Sequence, residues 1–192
     1  MEFLYLLEKL RMPGLNEFML GVTYLGDEIA FLAVALLVFW CVDKRQGYYL
    51  MSVGFVGTVT SQFMKLACRI PRPWVRDPNF TILEAAREGA GGYSFPSGHS
   101  QSSVGTFGSI ARTTKSKWIR ALCSAVAILV PFSRMYIGVH TPADVIVGSA
   151  ISLVLIFALH PIVFREDGKG IQWLIIGMVF MALAYLLYVE LW

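Results

Sequence analysis

The sequence predicts an all-α, polytopic membrane protein with six transmembrane helices and an N-terminal interfacial helix, and three observations carry that prediction. Apolar residues make up 56% of the chain, only 15% are charged and the mean hydropathy is +0.62, a balance at odds with a soluble globule. The apolar residues gather into long runs separated by short polar or basic connections, and a membrane-crossing helix needs about 20 of them in succession. Cations, histidines and a carboxylate recur at the ends of those runs, where a charge costs least and can serve a ligand. At 192 residues the chain makes one domain, residues 1–192.

Residues 1–12 mix Phe3, Leu4, Leu6, Leu7 and Leu10 with Glu2, Glu8, Lys9 and Arg11, too short and too charged to span. They predict an interfacial amphipathic helix that ends near Pro13-Gly14. The first span is expected from Glu17 to Val42, with Asp27 and Glu28 interrupting it. These two carboxylates have two readings: headgroup-level residues, the favoured one, or a partner for a cation of a site. Asp43 to Gly47 reads as a polar turn. Tyr48 to Lys65 is the second span, rich in Gly, Ser and Thr, which let helices approach closely in lipid.

Trp74 to Phe95 reads as a polar loop with a short surface helix around Ala85-Ala86, serving as lid, headgroup selector or simple connection. The third span is expected from Ser97 to Arg112, the fourth from Trp118 to Phe132, the fifth from Pro142 to Phe164 and the sixth from Ile171 onward. The cysteines, Cys41, Cys68 and Cys123, are odd in number and scattered, which fits small packing residues and no disulfide framework. A net charge of +3 gives no reason to expect nucleic acid; the basic residues suit anionic lipid headgroups.

Three stretches bear chemistry. In Ser133-Arg134-Met135-Tyr136-Ile137-Gly138-Val139-His140-Thr141-Pro142-Ala143-Asp144, Thr141-Pro142 marks a helix start, with His140 just before it and Asp144 in its first turn. The carboxylate is then within reach of the imidazole, where it would fix the tautomer and leave the other ring nitrogen nucleophilic. A capping box between Thr141 and Asp144 explains the same spacing without chemistry. Pro96-Ser97-Gly98-His99 is a second helix start, with Ser97 as N-cap and Gly98 permitting close approach of an anion to the free N–H groups. Lys65 to Pro73 ends an apolar run with Lys65, Arg69 and Arg72, which read either as a phosphate clamp or as a basic anchor for a helix end.

Together these stretches resemble the type 2 phosphatidic acid phosphatase (PAP2) superfamily of membrane lipid phosphatases, related to vanadium haloperoxidases. Lys65, Arg72 and Pro73 meet its first motif, Pro96 to His99 its second, and Ser133, Arg134, Gly138, His140 and Asp144 its third, with no departure at any motif position. The resemblance covers residues 60–150 and implies an enzyme that hydrolyses a lipid phosphate monoester or diphosphate, the compactness of the chain being similar to bacterial members. His140 would attack phosphorus to give a phosphohistidine, Asp144 would orient it, and His99 would serve as acid and then base. Lys65, Arg72, Ser97, Gly98 and Arg134 would hold the phosphate oxygens. No metal and no cofactor are implied. A lipid phosphotransferase with the same site, or a non-enzymatic transporter or scaffold, are the alternatives.

Six crossings would bring all three motifs and both termini to one side. The opposite loops carry eight basic residues, while the motif side keeps five once Lys65, Arg72 and Arg134 are set aside for the site. By the positive-inside rule the active site would face the extracytoplasmic side of a bacterial plasma membrane.

Overall fold

The computed structural model describes residues 1–191, and all regular structure within them is helical. In chain order the helices are α1 (Glu2–Lys9), α2 (Pro13–Thr23), α3 (Glu28–Cys41), α4 (Lys44–Cys68), the one-turn α5 (Pro73–Arg76), α6 (Gly98–Thr113), α7 (Lys117–Tyr136), α8 (Pro142–Val163) and α9 (Lys169–Glu190), with 3-10 turns at Tyr24–Gly26 and Glu84–Ala86.

Helix α6 is the axis. It packs against α3, α4, α7 and α8, so its Ser100, Gln101, Ser102, Ser103, Thr106 and Ser109 are buried in protein and not in lipid. This explains a span too polar for a hydropathy test. Among the described residues α7, α8 and α9 are each long and apolar enough to cross a membrane, and α2 with α3 would add a fourth as a bent pair. The second and third expected spans are helical, as α4 and α6, but their Gly, Ser and Thr content holds them below that threshold, and α6 has only 16 residues.

The first expected span, Glu17 to Val42, is not one straight helix. Its two halves meet at 55°, because the chain closes α2 with a 3-10 turn and Asp27 adopts an extended conformation, φ −68°, ψ 151°, before α3 begins. The first helix ends at Lys9, close to Pro13-Gly14 as expected, and Pro13 then starts α2, since proline fits the first helical position, where its missing N–H is not needed. The polar stretch after Asp43 is no turn: the Asp43 carboxylate accepts the Gln46 N–H at 2.8 Å and α4 begins there. Pro131 lies inside α7, which continues past Phe132 to Tyr136 and carries Arg134 in its last turn.

The amphipathic α1 buries Leu4 and Leu7, Leu4 in a cluster with Phe80 and Ile82, and leaves Leu6 and Leu10 exposed. It thereby docks on the loop between α5 and α6, and Arg11 just after it donates to the carbonyls of Tyr136 and Thr81. His160 stacks on Phe164 with ring centroids 4.6 Å apart, far from the motif histidines in the chain and part of the packing.

Candidate active site

Two helix starts fix the centre of the site. Ser97 caps α6, its hydroxyl accepting the Ser100 N–H at 3.3 Å, and Thr141 caps α8 in a full capping box with Asp144. The Ser97 N–H donates to the Asp144 carbonyl at 2.9 Å, tying one start to the other. They approach so closely that a Cβ on Gly148 would stand 2.4 Å from the Ser97 carbonyl oxygen.

Asp144 Oδ2 accepts from the Thr141 N–H at 2.7 Å and from the Ser94 hydroxyl at 2.6 Å, and lies 3.5 Å from His140 Nδ1. The capping and catalytic readings of Asp144 are thus compatible in one carboxylate. On the other side of the ring, His140 Nε2 meets Arg72 Nη1 at 2.9 Å. The same guanidinium donates to the carbonyls of Gly91 at 2.8 Å, Gly92 at 3.2 Å and Val139 at 3.1 Å. Burial pushes Arg72 down to about 10, against the attraction of Asp144, so it stays a cation at neutral pH. Burial likewise drives the His140 pKa below the ordinary histidine range, although Asp144 opposes it, and the ring is neutral at pH 7.

A cavity of about 350 Å³ opens beside this pair. Lys65, Arg72 and Arg134 line it with Gly98 and His99, and Gly89 and Gly91 of the loop form another part of the wall. Lys65 Nζ donates to the Tyr93 carbonyl at 3.2 Å, and Arg134 Nη1 to the Thr23 hydroxyl at 2.6 Å; Arg134 Nε is buried with no partner among the described residues. Gathering three cations around one cavity is unfavourable unless an anion joins them. His140 is only 1% exposed and is not on the wall, but Arg72, which is, touches its Nε2. Ser97, expected on the phosphate, is fully buried, and its hydroxyl serves the α6 cap. The 74–95 loop is more than a connection, since its glycine carbonyls hold Arg72.

Two residues differ from the favoured sequence reading. Asp27, favoured as a headgroup-level residue, lines the cavity and places Oδ1 2.6 Å from His99 Nε2. Glu28 lines the cavity too. Ser94 and Thr23, which hold Asp144 and Arg134, carried no signal in the sequence. Among the described residues no three His, Cys, Asp or Glu side chains gather as a metal-binding group.

The model of the PAP2 superfamily matches residues 45–167, more than half of the chain and all three motifs. The chain belongs to the PAP2 superfamily. Among the relatives of this PAP2 protein is phosphatidylglycerophosphatase B of Bacillus subtilis (strain 168), 28% identical over 160 residues, which cover 77% of this chain and 75% of that one. An undecaprenyl-diphosphatase of Sulfolobus acidocaldarius is 31% identical over 136 residues, 70% of this chain and 64% of the relative. The crystal structure of Aquifex aeolicus LpxE superposes with a TM-score of 0.73 at 25% identity, covering 81% of this PAP2 chain and 91% of its own.

Proposed function

We propose that this PAP2 protein hydrolyses the phosphate monoester or diphosphate of a membrane lipid through a phosphohistidine on His140. The observation that carries the reading is the cavity in which three cations from distant parts of the chain, Lys65, Arg72 and Arg134, meet His99, with His140 Nε2 directly behind Arg72 at 2.9 Å. The names of the two relatives, a phosphatidylglycerophosphatase and an undecaprenyl-diphosphatase, support a phosphate or diphosphate on an amphiphile as substrate.

In this reading the neutral His140 Nε2 attacks phosphorus as the bond to the leaving oxygen breaks, and His99 gives that oxygen its proton. Water then attacks the phosphohistidine, His99 takes a proton from it, and inorganic phosphate leaves with His140 restored. Lys65, Arg72, Arg134 and the Gly98 N–H oppose the charge that develops on the nonbridging oxygens, the work a preorganised donor set does best in a site shielded from water. Ser97 supports this by capping α6 beneath Gly98. Protein cations supply the charge, so turnover should persist in EDTA.

The membrane arrangement belongs to the same reading. Helices α4 and α6 are taken as crossings enclosed by the apolar ones, giving six, with the site on the extracytoplasmic side of a bacterial plasma membrane.

The test is phosphate release by purified protein from phosphatidic acid, phosphatidylglycerol phosphate and a polyprenyl diphosphate. One or more should be turned over by the wild type, and His140→Ala should abolish that release with the fold intact. Turnover by the variant at the wild-type rate would refute the assignment.

A further inference from the structure

We infer that Asp27 is a positioning residue for His99: its carboxylate accepts the Nε2 proton of the imidazole and holds the ring ready to deliver a second proton, from Nδ1, to the leaving oxygen. This rests on the proposed lipid phosphatase reading of the site and assigns a role to a residue outside the three motifs.

Three observations on the segment between α2 and α3 converge. First, Asp27 is the N-cap residue of α3, where a carboxylate ordinarily accepts an N–H of its own helix and stabilises it. Its side chain makes no such bond; Oδ1 reaches across to His99 Nε2 at 2.6 Å, at the short end even for a charge-assisted bond. Second, the chain is built to come this close. Gly26 lies against His99, and a Cβ there would stand 3.0 Å from the His99 carbonyl oxygen, 3.1 Å from its Cβ and 2.8 Å from Val130 Cγ1. Third, Thr23 in the last turn of α2 accepts from Arg134 at 2.6 Å, so the bend is anchored to the site at both its ends.

The electrostatic need is plain. The charged groups that line the cavity with His99 are Lys65 of α4, Arg72 of the loop after it, Arg134 of α7 and the carboxylates of Asp27 and Glu28, and the three cations repel a further positive charge on the ring. A general acid must nevertheless be protonated when the substrate is bound. Asp27 and Glu28 are the carboxylates on the cavity wall, and Asp27 is the one in contact with His99. With Nε2–H committed to Asp27, the Nδ1 proton is the one that moves: it passes to the leaving oxygen as the P–O bond breaks, and Nδ1 recovers a proton from the attacking water. The proton count closes with Asp27 ionised throughout.

The experiment compares wild type, Asp27→Asn, Asp27→Glu, His99→Asn and the Asp27→Asn/His99→Asn double variant on two soluble substrates. One is dihexanoyl phosphatidic acid, whose alkoxide leaving group needs a proton; the other is 4-nitrophenyl phosphate, whose phenolate hardly does. Asp27→Asn should lower kcat on phosphatidic acid about 10- to 100-fold with KM nearly unchanged, within what general acid catalysis supplies. Its loss on 4-nitrophenyl phosphate should be at least about ten times smaller, and its alkaline limb of kcat against pH should move to lower pH. Asp27→Glu should recover part of the activity, and the double variant should be no worse than His99→Asn. Equal losses on both substrates, multiplying losses in the double variant, or a gain in activity with lower KM, the mark of a carboxylate competing with phosphate, would overturn the inference alone. Wild-type protein that releases phosphate from neither substrate would overturn the functional reading and this inference with it.

Discussion

Arg72 Nη1 stands 2.9 Å from His140 Nε2, and this contact fixes the tautomer of the ring. A guanidinium donates and never accepts, so Nε2 presents its lone pair and the proton lies on Nδ1, the nitrogen 3.5 Å from Asp144 Oδ2. The lone pair that would attack phosphorus is the one Arg72 holds. In the proposed reaction an incoming phosphoryl group would take over the Arg72 donor and receive the lone pair it releases.

Arg72→Lys should therefore be nearly as damaging as Arg72→Ala. An ammonium is a compact point charge and cannot bond the carbonyls of Gly91, Gly92 and Val139 while reaching His140. Loss of a preorganised donor at the reacting group costs about 10²- to 10³-fold in kcat, and steady-state phosphate release should show a fall of at least 10²-fold in both variants. A lysine variant within threefold of wild type would mean that charge alone suffices.

Both helix starts were legible because they depend on local chemistry: Ser97 and Thr141 are good N-caps, and both caps form. The three motifs were legible as short local patterns, and the fold brings Lys65, Arg72, Gly98, His99 and Arg134 of them to one cavity. Asp27 was not, because its partner is 72 positions away and the bend that delivers it depends on an extended residue between two helices whose apolar runs read as one. Nor were the supports of Arg72, since backbone carbonyls leave no mark on side-chain identity. The polarity of α4 and α6 follows from burial among other helices, which hydropathy along one segment does not see.

Asp144→Asn keeps an oxygen for the Thr141 N–H and the Ser94 hydroxyl but loses the charge that favours an imidazolium at His140. Activity should fall about 10³- to 10⁴-fold, the scale seen when the aspartate of a catalytic triad is so changed, while the protein stays folded. Thermal unfolding in detergent alongside phosphate release separates the two effects. A loss of activity matched by unfolding would make Asp144 a cap and nothing more.

The buried His140 gives a signed prediction for stability. Its pKa is lower folded than the ordinary value of about 6.5 in an unfolded chain, so below that pH the unfolded state binds the extra proton first. Its contribution is complete above about pH 6.5 and is lost progressively as pH falls towards the depressed folded value. The unfolding midpoint of wild type should drop between pH 7 and pH 5, and His140→Asn, which cannot titrate, should show a shallower drop. Parallel curves would place the acid sensitivity elsewhere.

Orientation is tested on the connection between α6 and α7. With the site on the extracytoplasmic side, a cysteine introduced at Lys115 in a background lacking Cys41, Cys68 and Cys123 should resist an impermeant thiol reagent in intact cells and react after lysis. Ready labelling from outside would reverse the assignment.

Gly148 links the fold to the chemistry. A Cβ there meets the backbone oxygen of Ser97 at 2.4 Å, and a backbone oxygen cannot swing aside as a flexible side chain would. Gly148→Ala must push the start of α8 away from the start of α6, stretching the bond from the Ser97 N–H to the Asp144 carbonyl and separating His140 from His99. Overpacking of this kind costs about 1 to 3 kcal/mol, and the unfolding midpoint should fall accordingly. Phosphate release at a temperature where the variant is still fully folded should fall more than tenfold, because its two histidines no longer share one phosphoryl group. A variant that loses stability yet turns over at the wild-type rate would show that the contact serves packing alone and that the spacing of His99 and His140 is set elsewhere.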